Sequence, residues 1–160
     1  MTKRNLSIIQ LLISVVSVIL LYIDGMFVWC SSDMRYASND KRVPLSFNNI
    51  FGTQFELGFF TVLLIAFIVL CAILSTIIIF KHVDKLDNKY MVIIPAITLI
   101  LFIILGIYAG SYTDTVESKY LATRYLSVSL GLTFYIEALL LAANTFIECA
   151  KQFIQMPYNK

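Results

Sequence analysis

Hydrophobic and polar positions segregate along this chain on a coarse scale. Four runs of 22 to 24 residues, Ile8–Trp29, Leu57–Phe80, Met91–Tyr112 and Tyr125–Ile147, contain only two charged side chains between them, Asp24 and Glu137. A helix of about 20 residues crosses the hydrocarbon of a bilayer. A segment in lipid must also satisfy its own backbone polar groups, so each run is predicted to be a transmembrane helix. The connections Lys81–Tyr90 and Thr113–Arg124 are short, which makes successive helices antiparallel neighbours. The pattern predicts an all-α integral membrane protein: one domain over residues 1–160, with four transmembrane helices in a single antiparallel bundle. The loop 30–56 is the only connection long enough for a recognition surface. Its Ser38-Asn39-Asp40 and Pro44 are turn formers, and Leu45, Phe47, Ile50 and Phe51 suit an interfacial anchor, so a tether is expected there more than a binding loop.

The polar positions inside the runs refine this outline. Glu137 stands within one residue of the centre of Tyr125–Ile147, where a carboxylate costs about 2.5–3.5 kcal/mol or more, so it is expected to face protein or water. At helical pitch Thr133, Asn144 and Glu148 share its face. On the first run Gln10, Ser14, Ser17 and Asp24 form a comparable stripe. Matching depths, with Ser17 level with Glu137 and Gln10 level with Asn144, predict that the first and last helices meet along a polar seam. Burial favours the neutral acid at Glu137, which can then donate a hydrogen bond to Ser14 or Ser17. In the third run Gly106 and Gly110 make a small-xxx-small pattern. With Ser127 and Gly131 on the fourth run they are predicted to let those helices approach closely, homodimerisation being the alternative use. Pro95 falls one turn inside its helix, where a missing N–H does little harm.

Composition agrees with a membrane location. Hydrophobic residues make up 59% of the chain and charged ones 14%, against roughly 25% charged in soluble domains. A formal charge of +2 is too small to suggest nucleic acid as a partner. Lys3 and Arg4 before an apolar stretch imitate a signal peptide, but the stretch is too long and no small-residue cleavage site follows, so the first run is expected to remain as an anchor. Lys3, Arg4, Lys81, Lys85, Lys89, Lys151 and Lys160 on one side, against Arg35, Lys41, Arg42, Lys119 and Arg124, predict cytoplasmic termini. Cys30, Cys71 and Cys149 are too far apart along the spans to form a disulfide framework.

The outline of four helices around an acid resembles the small multidrug transporters, whose acid lies in the first helix rather than the last. Val28-Trp29-Cys30 invites comparison with claudin-like four-span proteins, without their Gly-Leu-Trp context or a second external cysteine. Neither resemblance carries over residue by residue, and the chain is assigned to neither family.

Enzymatic readings find little support. The single histidine, His82, reads as a solvated loop residue, and no C-x-x-C, G-x-S-x-G or phosphate-binding glycine loop occurs. No catalytic residue, metal or cofactor is expected. Two functions remain. The first is a non-catalytic accessory subunit or immunity-type partner in the membrane, in contact with lipid and either a membrane-protein partner or further copies of itself. The second is a small oligomeric proton- or ion-coupled transporter or channel using Glu137. Abundant Ile, Lys and Asn and short loops suggest a bacterial cytoplasmic membrane.

Overall fold

The structure is a computed structural model that describes residues 3–33, 41–51, 58–81, 89–117 and 123–154. Four helices dominate it: α1 (Lys3–Leu20), α2 (Gly58–Lys81), α3 (Ile93–Gly110) and α4 (Leu132–Ile154). All four are long and apolar enough to cross a membrane. They close in chain order, each against its sequence neighbours and α1 against α4.

The buried positions explain this closure. Apart from Leu6 and Gly106, which widen the stripe, they are Ser7, Gln10, Ser14, Ser17 and Leu21 on α1 and just past its end; Thr61, Leu64, Ile68, Cys71 and Ser75 on α2; Pro95, Thr98, Phe102, Leu105 and Ala109 on α3; and Phe134, Glu137, Leu141, Asn144, Glu148 and Lys151 on α4. Each series steps by alternating threes and fours. That 3.5-residue period keeps one narrow stripe turned inward and gives the small crossing angles of a left-handed bundle. The other faces expose large apolar side chains such as Leu12, Val62, Ile100 and Leu139, which suit lipid. Four hydroxyls within the helices are satisfied locally: Ser14, Thr76, Thr98 and Thr145 donate to the carbonyl four residues earlier at 2.8–3.0 Å, whereas those of Ser7, Ser17 and Thr61 are buried without a partner. Such back-bonding removes the cost of an unmet donor in an apolar medium.

Two of the apolar runs are not helical throughout. α1 stops at Leu20, the chain turns through Gly25 at φ +104°, and Phe27–Asp33 forms a strand, β1. Likewise Thr123–Leu130 is a strand, β4, and α4 starts only at Leu132, running on to Ile154 beyond the expected end at Ile147. With β2 (Lys41–Leu45) and β3 (Thr113–Glu117) they make an antiparallel sheet in the order β2-β1-β4-β3. The all-α expectation is corrected to a mostly helical protein with a small sheet. Hydropathy counts apolar residues but is blind to where the backbone bonds go. Phe27-Val28-Trp29 is apolar because β1 lies between β2 and β4, with Phe27 opposite both Leu45 and Leu130.

The connection expected as a tether is also folded in its described part. Ser46 caps a single helical turn, Phe47–Asn49, by accepting from the Asn49 N–H at 3.2 Å. The Asn48 N–H donates to the Leu21 carbonyl at 3.2 Å, tying the loop to the end of α1. Phe47, Ile50 and Phe51 are wholly buried rather than interfacial. They join Phe27, Phe102 and Phe134 in an aromatic plug where the sheet meets the bundle. Phe102 stacks on Phe134 with centroids 4.7 Å apart, and Phe47 stacks on Phe102 at 5.6 Å. Each such pair adds about 0.5–1.5 kcal/mol beyond simple burial. The turn residues Ser38-Asn39-Asp40 and the loop histidine His82 lie outside the described residues.

Candidate functional site

The polar interior divides into two parts along the α1–α4 seam. At the end where the termini lie, Lys151 is buried, only 1% of the residue being exposed. It pairs with Glu148 Oε2 at 2.9 Å and donates to Gln10 Oε1, which also accepts from Ser75 Oγ at 3.0 Å. Three helices are thereby stapled by one amide oxygen. Beside this cluster is a cavity of about 10 Å³ bordered by Gln10, Cys71, Ser75, Met91, Pro95 and Lys151, about the space of one water. An ammonium engaged by a carboxylate and an amide is not a free nucleophile.

Further toward the sheet lie Ser17, Glu137 and Asn144. Glu137 is 0% exposed, and Ser17 and Asn144 are 0% and 2% exposed. The Ser17 hydroxyl sits beside the Glu137 carboxyl, short of hydrogen-bond geometry. Both Glu137 oxygens, Ser17 Oγ and Asn144 Oδ1 are buried without a hydrogen-bond partner. Glu148 is eleven residues along α4 from Glu137, about 16 Å at 1.5 Å per residue, and already holds Lys151.

Several depths differ from expectation because the true helix boundaries differ. With α4 running from Leu132 to Ile154, its midpoint is residue 143. Asn144 therefore stands at mid-helix and Glu137 in the sheet-side half. Gln10 is met by the Lys151 side chain rather than by Asn144. Asp24 lies beyond α1 in an exposed turn, outside the seam. Thr133 is half-buried at the Gly25 turn: a Cβ built on Gly25 would meet its Oγ1 at 3.4 Å. Ser127 is not on a helix at all but in β4, opposite Cys30 and Thr113. Gly131 makes the strand-to-helix junction, its N–H donating to the Met26 carbonyl at 2.8 Å. Of the third-span glycines, Gly106 faces the Phe134 ring and Gly110 faces Leu130.

Ser75, Lys151 and Cys71 were not singled out from the sequence as site residues. The signal is present for Lys151, which continues the three-four spacing of Asn144 and Glu148, although from sequence it counts only as a flanking positive charge. For Ser75 no comparable signal exists, because small hydroxyls such as those of Ser75 and its neighbour Thr76 can bond back to their own helix and are tolerated in an apolar run. Among the described residues no three of His, Cys, Asp and Glu gather as metal ligands. Comparison with family models, with curated proteins and with solved structures finds no match for this chain.

Proposed function

We propose that this chain is a non-catalytic membrane protein that presents a rigid extramembrane sheet to a protein partner, as an accessory subunit or an immunity-type protector. The observation that carries this reading is the way the sheet is anchored. Its strands come from both the first and the third connections, and its central strand is pinned to the bundle through Phe27, 5.8 Å from Phe134. A tether needs no such core. A platform held in fixed orientation does, because a preformed surface loses less ordering entropy on binding. On the first hairpin Arg42, Val43 and Pro44 are exposed, Val43 by 48%, and offer charge beside apolar area. The balance of Lys and Arg supports cytoplasmic termini with the sheet outside, and the abundance of Ile, Lys and Asn with short loops supports the cytoplasmic membrane of a bacterium.

Coupled transport through Glu137 is the less supported alternative. The aromatic plug closes the sheet end of a single bundle, and the cavity at the other end admits about one water.

A photo-reactive residue at Val43, compared with one at lipid-facing Leu139 in cells of the source organism, tests the partner reading. A discrete protein adduct from position 43, whose formation Arg42→Glu suppresses, is expected. Adducts from position 139 alone, or transport activity in liposomes holding only this chain, would remove the reading.

A further inference from the structure

The helices enclose Glu137 without answering it. Its carboxyl is fully buried, neither oxygen has a hydrogen-bond partner, and the neighbouring Ser17 hydroxyl is in the same state. A carboxylate only accepts, and a serine hydroxyl has one hydrogen to give. This pair therefore offers more acceptors than donors, and one added hydrogen removes the mismatch. The buried stripes at this level supply no counter-charge among the described residues. Leu21 follows Ser17 on α1, Leu64 and Ile68 come from α2, Phe102 and Leu105 from α3, and Phe134 and Leu141 flank Glu137 on α4 itself. The charged groups on the same helix, Glu148 and Lys151, are paired with each other. A metal ion fits poorly. One carboxylate and one hydroxyl are too few oxygens for a hard cation, and Asn144 is seven residues away, about 10 Å along the axis.

We propose that Glu137 is a proton-binding site, in which the bundle closes around the carboxylic acid and the acid O–H is donated to Ser17 Oγ. Release is simple acid dissociation: the O–H bond breaks, the electron pair stays on the carboxylate and the proton passes to water. The route leads to the end of the bundle where the termini lie. On the sheet side Phe134 is the next residue of the stripe and opens onto the aromatic plug. On the other side Leu141 comes next on α4, and beyond it the seam turns polar through Ser14 and Asn144 to Gln10, Glu148, Lys151 and the water-sized cavity. This site is independent of the partner reading and stands whether or not a partner binds the sheet.

Infrared difference spectroscopy of the full chain in liposomes, titrated from acid to alkaline pH, tests it. A protonated-carboxyl carbonyl band is expected at neutral pH in the wild type and is lost in Glu137→Gln. Ser17→Ala shifts that band to higher frequency by removing its acceptor; this variant also serves if Glu137→Gln fails to insert. No protonated band at neutral pH, or a band indifferent to Ser17→Ala, overturns the proposal. A thermal midpoint that rises with Na⁺ at fixed ionic strength in the wild type but not in Glu137→Gln assigns the site to an alkali cation instead. Loss of the band after alkalinising the termini side alone supports the route, and loss only from the sheet side overturns it.

Discussion

Lys151 Nζ lies 2.9 Å from Glu148 Oε2, with the two side chains 2% and 6% exposed. Removing one member of so buried a pair leaves the other charge uncompensated, which costs about 3–5 kcal/mol, whereas replacing both by apolar groups of similar size is often neutral. Lys151→Met is therefore expected to lower stability by about that amount, and the double variant Lys151→Met with Glu148→Leu to recover most of it. Reversible unfolding in mixed micelles measures both. A double variant no more stable than the single one contradicts the account.

Apart from Gly25, held at φ +104°, Gly131 and Gly106 leave no room for a side chain, whereas Gly110 leaves room for one. A Cβ on Gly131 would stand 2.0 Å from the Gly25 carbonyl oxygen, and one on Gly106 would stand 2.2 Å from the Phe134 ring. Overpacking of this kind costs about 1–3 kcal/mol, and more at Gly131, where the obstacle is backbone. At Gly110 the nearest atom is 3.5 Å away, so Gly110→Ala should leave the thermal midpoint nearly unchanged. Comparable losses at Gly106 and Gly110 would show that this face is used differently.

Phe134 joins the aromatic plug to the polar seam, stacked on Phe102 and tilted against Phe27. Phe134→Ala should cost about 3–5 kcal/mol, as deletion of a buried ring does, with Phe134→Leu losing less. Protease cleavage of the sheet hairpins should rise in the same order, because the plug fixes the sheet to the bundle.

Asn144 stands at mid-helix with its Oδ1 buried and unpartnered. An unmet buried acceptor costs about 1–3 kcal/mol. Asn144→Leu is thus expected to preserve or raise stability, measured by the same unfolding experiment. A marked loss would indicate that the amide holds an ordered water or a neighbouring helix through its oxygen.

The helical part of the fold was legible because lipid leaves the backbone few choices. Runs such as Leu57–Phe80 and Met91–Tyr112 became α2 and α3 with boundaries moved by one or two residues. The strands were not legible. Phe27-Val28-Trp29 and Tyr125-Leu126 look the same to a hydropathy scale whether they face lipid or fill a sheet, and that one ambiguity displaced Asp24, Ser127 and the apparent centre of Glu137.

By itself the sequence determined that four segments are helical and that Ser14, Ser17 and Glu137 avoid lipid, since chain length, apolar content and the cost of burying polar groups are local quantities. Only the tertiary structure decided that Gln10 meets Lys151 and Ser75, that two apolar runs end as paired strands, and that five phenylalanines close one end. These depend on register between segments far apart in the chain, where hydrogen-bond pairing and side-chain shape choose among arrangements that are equally hydrophobic.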